Sequence, residues 1–168
     1  MARLYAPLLT QGITSVCGPT SVANVLRSLQ VAARRNPLPG IGFRALSLDQ
    51  LVSEAAQVVP APWTVRAVRP RTLADFRAEL LDSNREDRRY VVNFTRAPLF
   101  GRGGGHHSPL GGFLETEGLA FILDVNAGFG PWLVSAARLF EATNSISDRS
   151  TGTTRGLARF DRLDREQA

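Results

Sequence analysis

The order of patterns along this chain predicts an α+β fold, with N-terminal helices packed on an antiparallel sheet. Apolar residues recur at helical spacing through the first half. The second half is dominated by β-branched and aromatic runs with a hairpin signal. No repeat and no linker-like stretch divides the halves, and 168 residues with 43% apolar and 21% charged side chains suit one globular domain.

Residues 1–16 are irregular, broken by Pro7 and Gly12. A first helix starts at or just after Cys17, because Val22, Val25, Leu26 and Leu29 share one helical face. Pro19 suits its first turn, where a missing N–H is harmless. Residues 34–45, with Pro37, Pro39, Gly40 and Gly42, read as a loop. A second helix follows near 47–59, capped by Ser47, with Leu48, Leu51, Val52, Ala55 and Val59 inward. A third runs near 73–82, where Thr72 and Asp75 resemble a shortened capping box and Phe76 with Leu80 forms the apolar stripe.

Arg89 to Thr95 then has the content of a buried strand, and a glycine-rich loop, Gly101 to Gly105, leads to His106-His107-Ser108-Pro109. Leu110 to Thr116 and Leu119 to Val125 read as two strands joined at Glu117-Gly118. Ser135 caps a further helix through about Asn144. The remainder is polar and arginine-rich. The expected organisation is a catalytic domain over residues 1–146 and a polar, partly disordered tail over 147–168.

The formal charge is +5, and every one of the twenty basic residues is arginine. The arginines are scattered, with Arg34-Arg35 and Arg88-Arg89 the densest pairs, and aromatic residues do not alternate with them. Such a diffuse pattern reads as compositional bias, so no nucleic-acid partner is expected. No apolar run approaches the ~20 residues that cross a bilayer, and the first residues lack the apolar stretch of a secretory signal. A cytoplasmic location without membrane attachment is the expectation.

Cys17 is the only cysteine, so neither an internal disulfide nor a cysteine-rich zinc site can form, and no metal ligands are expected. A lone cysteine is ordinarily a small buried apolar residue. At a helix N-terminus, however, aligned N–H groups favour the thiolate, and a neighbouring imidazole favours it further. The chain's only histidines, His106 and His107, can supply that imidazole. Asp124 can orient the ring, and Gln11 can point its amide at a developing oxyanion beside the Cys17 N–H. Each signal alone is ordinary: a strand-end aspartate is usually a solvated turn residue, and a glutamine six residues before a cysteine is usually a loop side chain. Their conjunction points to a cysteine nucleophile. Which histidine serves stays open, because a two-residue turn opposes Asp124 to Gly111 and a three-residue turn opposes it to Leu110.

The stretch Gln11-Gly12-Ile13-Thr14-Ser15-Val16-Cys17-Gly18-Pro19-Thr20-Ser21 resembles the nucleophile motif of the phytochelatin synthase family, which are papain-like enzymes. Gly105-His106-His107-Ser108-Pro109-Leu110-Gly111-Gly112-Phe113 is similar to that family's G-H-F-S-P-I-G-G-Y, and Ile122-Leu123-Asp124-Val125 to its I-L-D-V. Trp132 and Glu141-Ala142 follow in a similar arrangement, so the resemblance spans roughly residues 5–145. The cysteine–glycine–proline element alone is shared with other papain-like peptidases; the histidine element and its spacing to Asp124 are more specific.

The resemblance implies a papain-like fold in a short form without the C-terminal domain of the plant enzymes. It implies Cys17 as nucleophile, His106 as general base, Asp124 as its orienting partner and Gln11 as oxyanion donor, with Gly105, His107 and Ser108 near the substrate. His107 stands where the family has an aromatic residue. The implied reaction cleaves a peptide amide through a thioester, most simply in glutathione, releasing glycine and passing the γ-glutamylcysteinyl group to a second glutathione or to water. No resident cofactor is implied; cadmium or zinc would act as thiolate complexes of the substrate. A homodimer is suggested by the resemblance alone. Two positions depart from the family: Ile13 replaces a glutamate and Ala127 an arginine, both polar anchors, and losing such a charged partner typically costs ~2–5 kcal/mol of binding. Two other readings stand beside this one: a peptidase like the bacteriocin-leader processing enzymes, which share the glutamine–cysteine spacing, and an inactive relative whose arginines hold an acidic ligand.

Overall fold

The computed structural model describes residues 1–13, 15–34, 36–38, 44–148 and 150–163. Much of the loop expected over 34–45, Thr14 of the nucleophile stretch and the last five residues of the expected tail lie outside the described residues.

After a short 3₁₀ turn (Ala2–Tyr5), helix α1 runs over Cys17–Ser28 and α2 over Leu48–Ala56. The capping box of α2 is complete: the Ser47 hydroxyl accepts from the Gln50 N–H, and the Gln50 side chain accepts from the Ser47 N–H. Strand β1 (Trp63–Val68) and helix α3 (Leu73–Asp82) follow, the latter capped by Thr72 with Phe76 and Leu80 fully buried. Then come β2 (Arg88–Thr95), the single turn α4 (Ala97–Phe100), β3 (Gly105–Leu114), β4 (Leu119–Ile122), β5 (Trp132–Ser135) and α5 (Ala136–Thr143). A two-strand ribbon, β6 (Ile146–Asp148) with β7 (Thr153–Thr154), leads into β8 (Gly156–Arg162).

Six strands form one antiparallel sheet in the order β1-β8-β2-β3-β4-β5. Its two faces bury separate clusters. Phe76 and Leu80 of α3 and Leu139 of α5 pack with Tyr90, Val92, Phe94 and Leu157 on one face. Val22, Val25 and Leu26 of α1 and Leu48 and Leu51 of α2 pack with Val91, Ala158 and Phe160 on the other. Burial on both faces explains why β2 reads as a largely apolar run, interrupted by Asn93, rather than an alternating one. Each fully buried large apolar side chain in these clusters is worth ~1.5–3 kcal/mol.

Two sequence expectations need correction. The tail expected over 147–168 does not describe residues 156–162, which form a central strand paired to both β1 and β2. Leu157, Ala158 and Phe160 are fully buried there. The pattern was hidden because Arg159 lies among them, its charge met by Glu79 at 2.9 Å and Asp82 at 3.3 Å. The catalytic domain therefore extends at least to Arg162. The hairpin also follows neither register considered: four residues link β3 to β4, with Leu114 opposite Leu119, and a bulge at Gly111 shifts the pairing so that Leu110 faces Ile122. A Cβ on Gly111 would lie 2.9 Å from the Phe121 ring, so only glycine fits the bulge without displacement.

Candidate active site

Cys17 is the first residue of α1, and its N-cap, Val16, contributes no side-chain cap. The opening N–H groups, of Cys17 and Gly18, thus face the site without competition from a capping oxygen, and Pro19 carries none. Asn24, buried one helical repeat further on, clamps the preceding segment: its Oδ1 accepts from the Leu9 N–H at 2.8 Å, and its Nδ2 donates to the Leu9 and Thr20 carbonyls at 2.9 Å. Gln11 is fixed by its own N–H, donated to the Val125 carbonyl at 2.7 Å. Its side-chain Oε1 is buried without a partner.

Neighbouring residues of a strand project to opposite faces, and β3 uses this at its first residues. His106 lies opposite Phe94 and His107 opposite Asn93. On the Phe94 face, His106 Nε2 meets Asp124 Oδ1 at 2.9 Å. The observed register makes this contact possible, because Leu110 opposite Ile122 puts Asp124 across from Ser108, on the same face as His106. Asp124, wholly buried, also accepts from Arg96 Nη2 at 3.0 and 2.8 Å, the Asn126 N–H at 2.9 Å and Trp132 Nε1 at 3.0 Å. Burial pushes the carboxyl up, but the His106, Asn126 and Trp132 bonds outweigh it, leaving it lowered to about 2.

On the other side of β3, Cys17 Sγ is 3.8 Å from His107 Nδ1. Burial raises the thiol, whereas the neighbouring His106 and His107 rings lower it by more, and the balance stands at about 5. Burial opposes the charge of His106, but its bonds to Asp124 and Cys17 prevail, and its pKa is raised. A lowered thiol beside a raised imidazole favours a thiolate–imidazolium pair, which is what a cysteine needs for attack on a carbonyl carbon.

A cleft of about 310 Å³ opens at Cys17, lined by Leu46, Ser47, Asn93, Gly105, His107 and Arg155 among others. Its polar atoms are conspicuously unpaired. Asn93 Oδ1, His107 Nε2 and Arg155 Nε are all buried without a hydrogen-bond partner. Arg155 Nη1 donates to the Ile146 carbonyl at 3.2 Å, and no carboxylate among the described residues pairs with the guanidinium. Gly105 makes room for it: a Cβ there would fall 2.8 Å from Arg155 Nη2.

Cys17, His106, Asp124, His107 and Gly105 are therefore brought together, with Gln11 fastened beside Asp124. Ser108 is fully buried away from the cleft, its hydroxyl accepting from the Val125 N–H at 3.3 Å. Ile13 is half exposed and Ala127 exposed, and neither lines the cleft. Sequence reasoning missed Arg96, Asn93 and Arg155. The one polar residue inside the apolar run of β2 was a signal for Asn93; nothing in the sequence marked the two arginines among twenty.

The family model described as phytochelatin synthase matches residues 40–157. The chain belongs to the phytochelatin synthase family. Its curated relatives include glutathione gamma-glutamylcysteinyltransferase 3 of Lotus japonicus, 36% identical over 56% of this chain and 20% of that protein. Glutathione gamma-glutamylcysteinyltransferase 1 of Lotus japonicus is 28% identical over 98% of this chain and 36% of its own length. Glutathione gamma-glutamylcysteinyltransferase 2 of Arabidopsis thaliana is 29% identical over 94% and 38%. The chain thus spans well under half the length of these relatives, although it aligns nearly throughout with two of them. Among solved structures, the peptidase domain of Streptococcus ComA superposes with a TM-score of 0.62 at 17% identity, covering 93% of this chain and 98% of that one. A double glycine motif protease from an AMS/PCAT transporter, solved with its leader peptide, gives 0.61 at 14%, covering 94% and 91%. These likenesses establish the papain-like cysteine peptidase fold for the phytochelatin synthase domain described here. No helix among the described residues is long and apolar enough to cross a membrane.

Proposed function

We propose that this domain is a cysteine acyltransferase or hydrolase that cleaves the glycine amide of glutathione, or of a closely related γ-glutamyl peptide. The observation that carries the reading is the unpaired wall of the Cys17 cleft. A γ-glutamyl head carries both an α-carboxylate and an α-ammonium. Arg155, lacking a carboxylate of its own, suits the first; the free acceptor on Asn93 suits the second. Arg155 then supplies the charge that Ala127 does not, from a different part of the chain.

In this reading the Cys17 thiolate attacks the carbonyl carbon of the cysteinyl–glycine amide. The oxyanion is received by the Cys17 N–H and the Gln11 amide. The C–N bond breaks as the His106 imidazolium gives its proton to the departing glycine nitrogen, leaving a thioester on Sγ. Water or the amine of a second glutathione then yields its proton to His106 and attacks the same carbon, and the C–S bond breaks to restore the thiolate. Asp124 holds the ring for both transfers. Cadmium or zinc enters as a thiolate complex of the substrate rather than as a group held by the chain. A cytoplasmic location and a homodimer belong to this reading, the first from the sequence and the second from the family resemblance alone.

Intact mass measurement after incubation with glutathione tests this. A γ-glutamylcysteinyl adduct on Cys17, with glycine released, is the expected result. Cleavage of longer peptides with glutathione left untouched would overturn it in favour of a leader-type peptidase.

A further inference from the structure

His107 occupies a position where an aromatic residue would be enough to pack, yet its ring is arranged for chemistry. It is 2% exposed and locked beneath the start of α1, its own carbonyl accepting from Ser21 Oγ at 3.1 Å. The Nδ1 edge faces the first helical turn, 3.8 Å from Cys17 Sγ and 3.8 Å from where a Cβ on Gly18 would stand. The opposite edge, Nε2, is buried, unpaired and part of the cleft wall. Directly across the strand pair lies Asn93, whose Oδ1 is also unpaired. A thiolate sulfur can only accept, so a hydrogen bond from His107 to it requires the proton on Nδ1, which leaves Nε2 as the acceptor edge beside Asn93.

We propose that His107 is a second catalytic imidazole, whose Nδ1–H holds the Cys17 thiolate together with His106 while its Nε2 and Asn93 Oδ1 receive the ammonium group of the substrate. The inference rests on Cys17 being the nucleophile of the reaction above, and it goes beyond that reading by giving the thiolate two ring partners. No net proton transfer is required of His107: the Nδ1 proton stays on the ring while sulfur gains and loses its acyl group. The ring therefore links occupancy of the cleft to the state of the sulfur. An ammonium donating to Nε2 strengthens the Nδ1–H donor on the other side of the same ring.

The groups facing Cys17 are few. Among the described residues, His106 and His107 come from β3, Asp124 from the segment after β4 with Arg96 behind it, and Arg155 from the residue before β8; the α2 side contributes Ala45, Leu46 and Ser47. A guanidinium does not lose its proton in a protein, so the pH dependence of thiol reactivity reports on Cys17 and its surroundings.

The test is the pH profile of Cys17 alkylation by iodoacetamide in the full chain, which needs no substrate. His106→Ala alone is expected to leave the thiol ionising below the ~8.5 of a free cysteine, and His106→Ala/His107→Phe to return it there. At pH 4, below the thiol's value of about 5, His107→Phe should alkylate roughly tenfold more slowly, one pKa unit being tenfold in thiolate there. His107→Asn keeps an N–H near the Nδ1 position and should recover part of that loss, which a packing role would not produce. A free-thiol profile in His106→Ala alone, or a His107→Phe profile equal to the parent, overturns the proposal. Either result leaves the glutathione reading intact, while missing glycine release with a normal double-ring profile removes that reading and not this one.

Discussion

The two sides of β3 treat polar atoms in opposite ways. Around Asp124 the acceptor is saturated: an imidazole, a guanidinium, an indole and a backbone N–H all converge on one buried carboxylate. Across Cys17, the cleft wall keeps three buried polar atoms with no hydrogen-bond partner among the described residues. Each such atom costs ~1–3 kcal/mol when left unmade, so a folded chain retains them where a ligand completes the set. The saturated side is rigid and sets the geometry of His106. The unsaturated side is a mould for what binds.

The sharpest way to break this comparison is to unload the saturated side. Asp124→Ala leaves His106 without its anchor and Arg96 buried without its carboxylate. Glycine release is expected to fall roughly 10²–10⁴-fold, the usual range for losing general acid–base function. The alkylation profile should move with it, because His106 no longer holds its raised pKa beside the thiol. Unchanged turnover would mean that the His106–Asp124 contact is structural only.

Unloading the other side should give a different signature. Arg155→Met removes the proposed carboxylate partner while leaving the Cys17 surroundings in place. A charged partner of this kind is worth ~2–5 kcal/mol, so KM for glutathione should rise roughly 30-fold or more, with alkylation of the free enzyme little changed. Equal losses in turnover and alkylation would show that Arg155 acts on the thiolate, and the division between a rigid side and a receiving side would fail.

How much of this was legible in the sequence follows the same division. The start of α1 could be read because Val22, Val25, Leu26 and Leu29 keep a 3.6-residue period behind Pro19, and α2 and α3 announced themselves through Ser47 and Thr72. Cys17 was legible as the only cysteine, at a helix start, and the histidine pair and Asp124 as partners at workable positions. The choice of His106 over His107 was not, since it depended on a bulge at Gly111 that no hydrophobic pattern encodes. Strand β8 escaped because charge compensation by Glu79 and Asp82 lets Arg159 sit between buried neighbours, which periodicity reads as a solvated segment. Arg155 escaped for a related reason: only the return of the chain through the β6–β7 ribbon carries it over Gly105, and that juxtaposition is tertiary.

The smallest expected effect concerns acid stability, and it separates the donors around Asp124 from one another. The carboxyl is at about 2 in the folded protein against an ordinary 3.8, so its contribution is fully present above 3.8 and is lost as pH falls toward 2. Trp132 supplies one donor of this set, and its ring also packs edge-on against Phe94 and Phe100. Trp132→Phe keeps an aromatic ring there and removes only the N–H, at a cost of ~1–2 kcal/mol for a hydrogen bond to a charged group. The folded carboxyl then rises toward its ordinary value, and denaturant titrations should show the variant weakened most above pH 4 and converging with the parent as both approach pH 2. A deficit that stays constant across that range would assign the loss to packing against Phe94 and Phe100 instead. The saturation of Asp124 would then be a matter of geometry more than of charge.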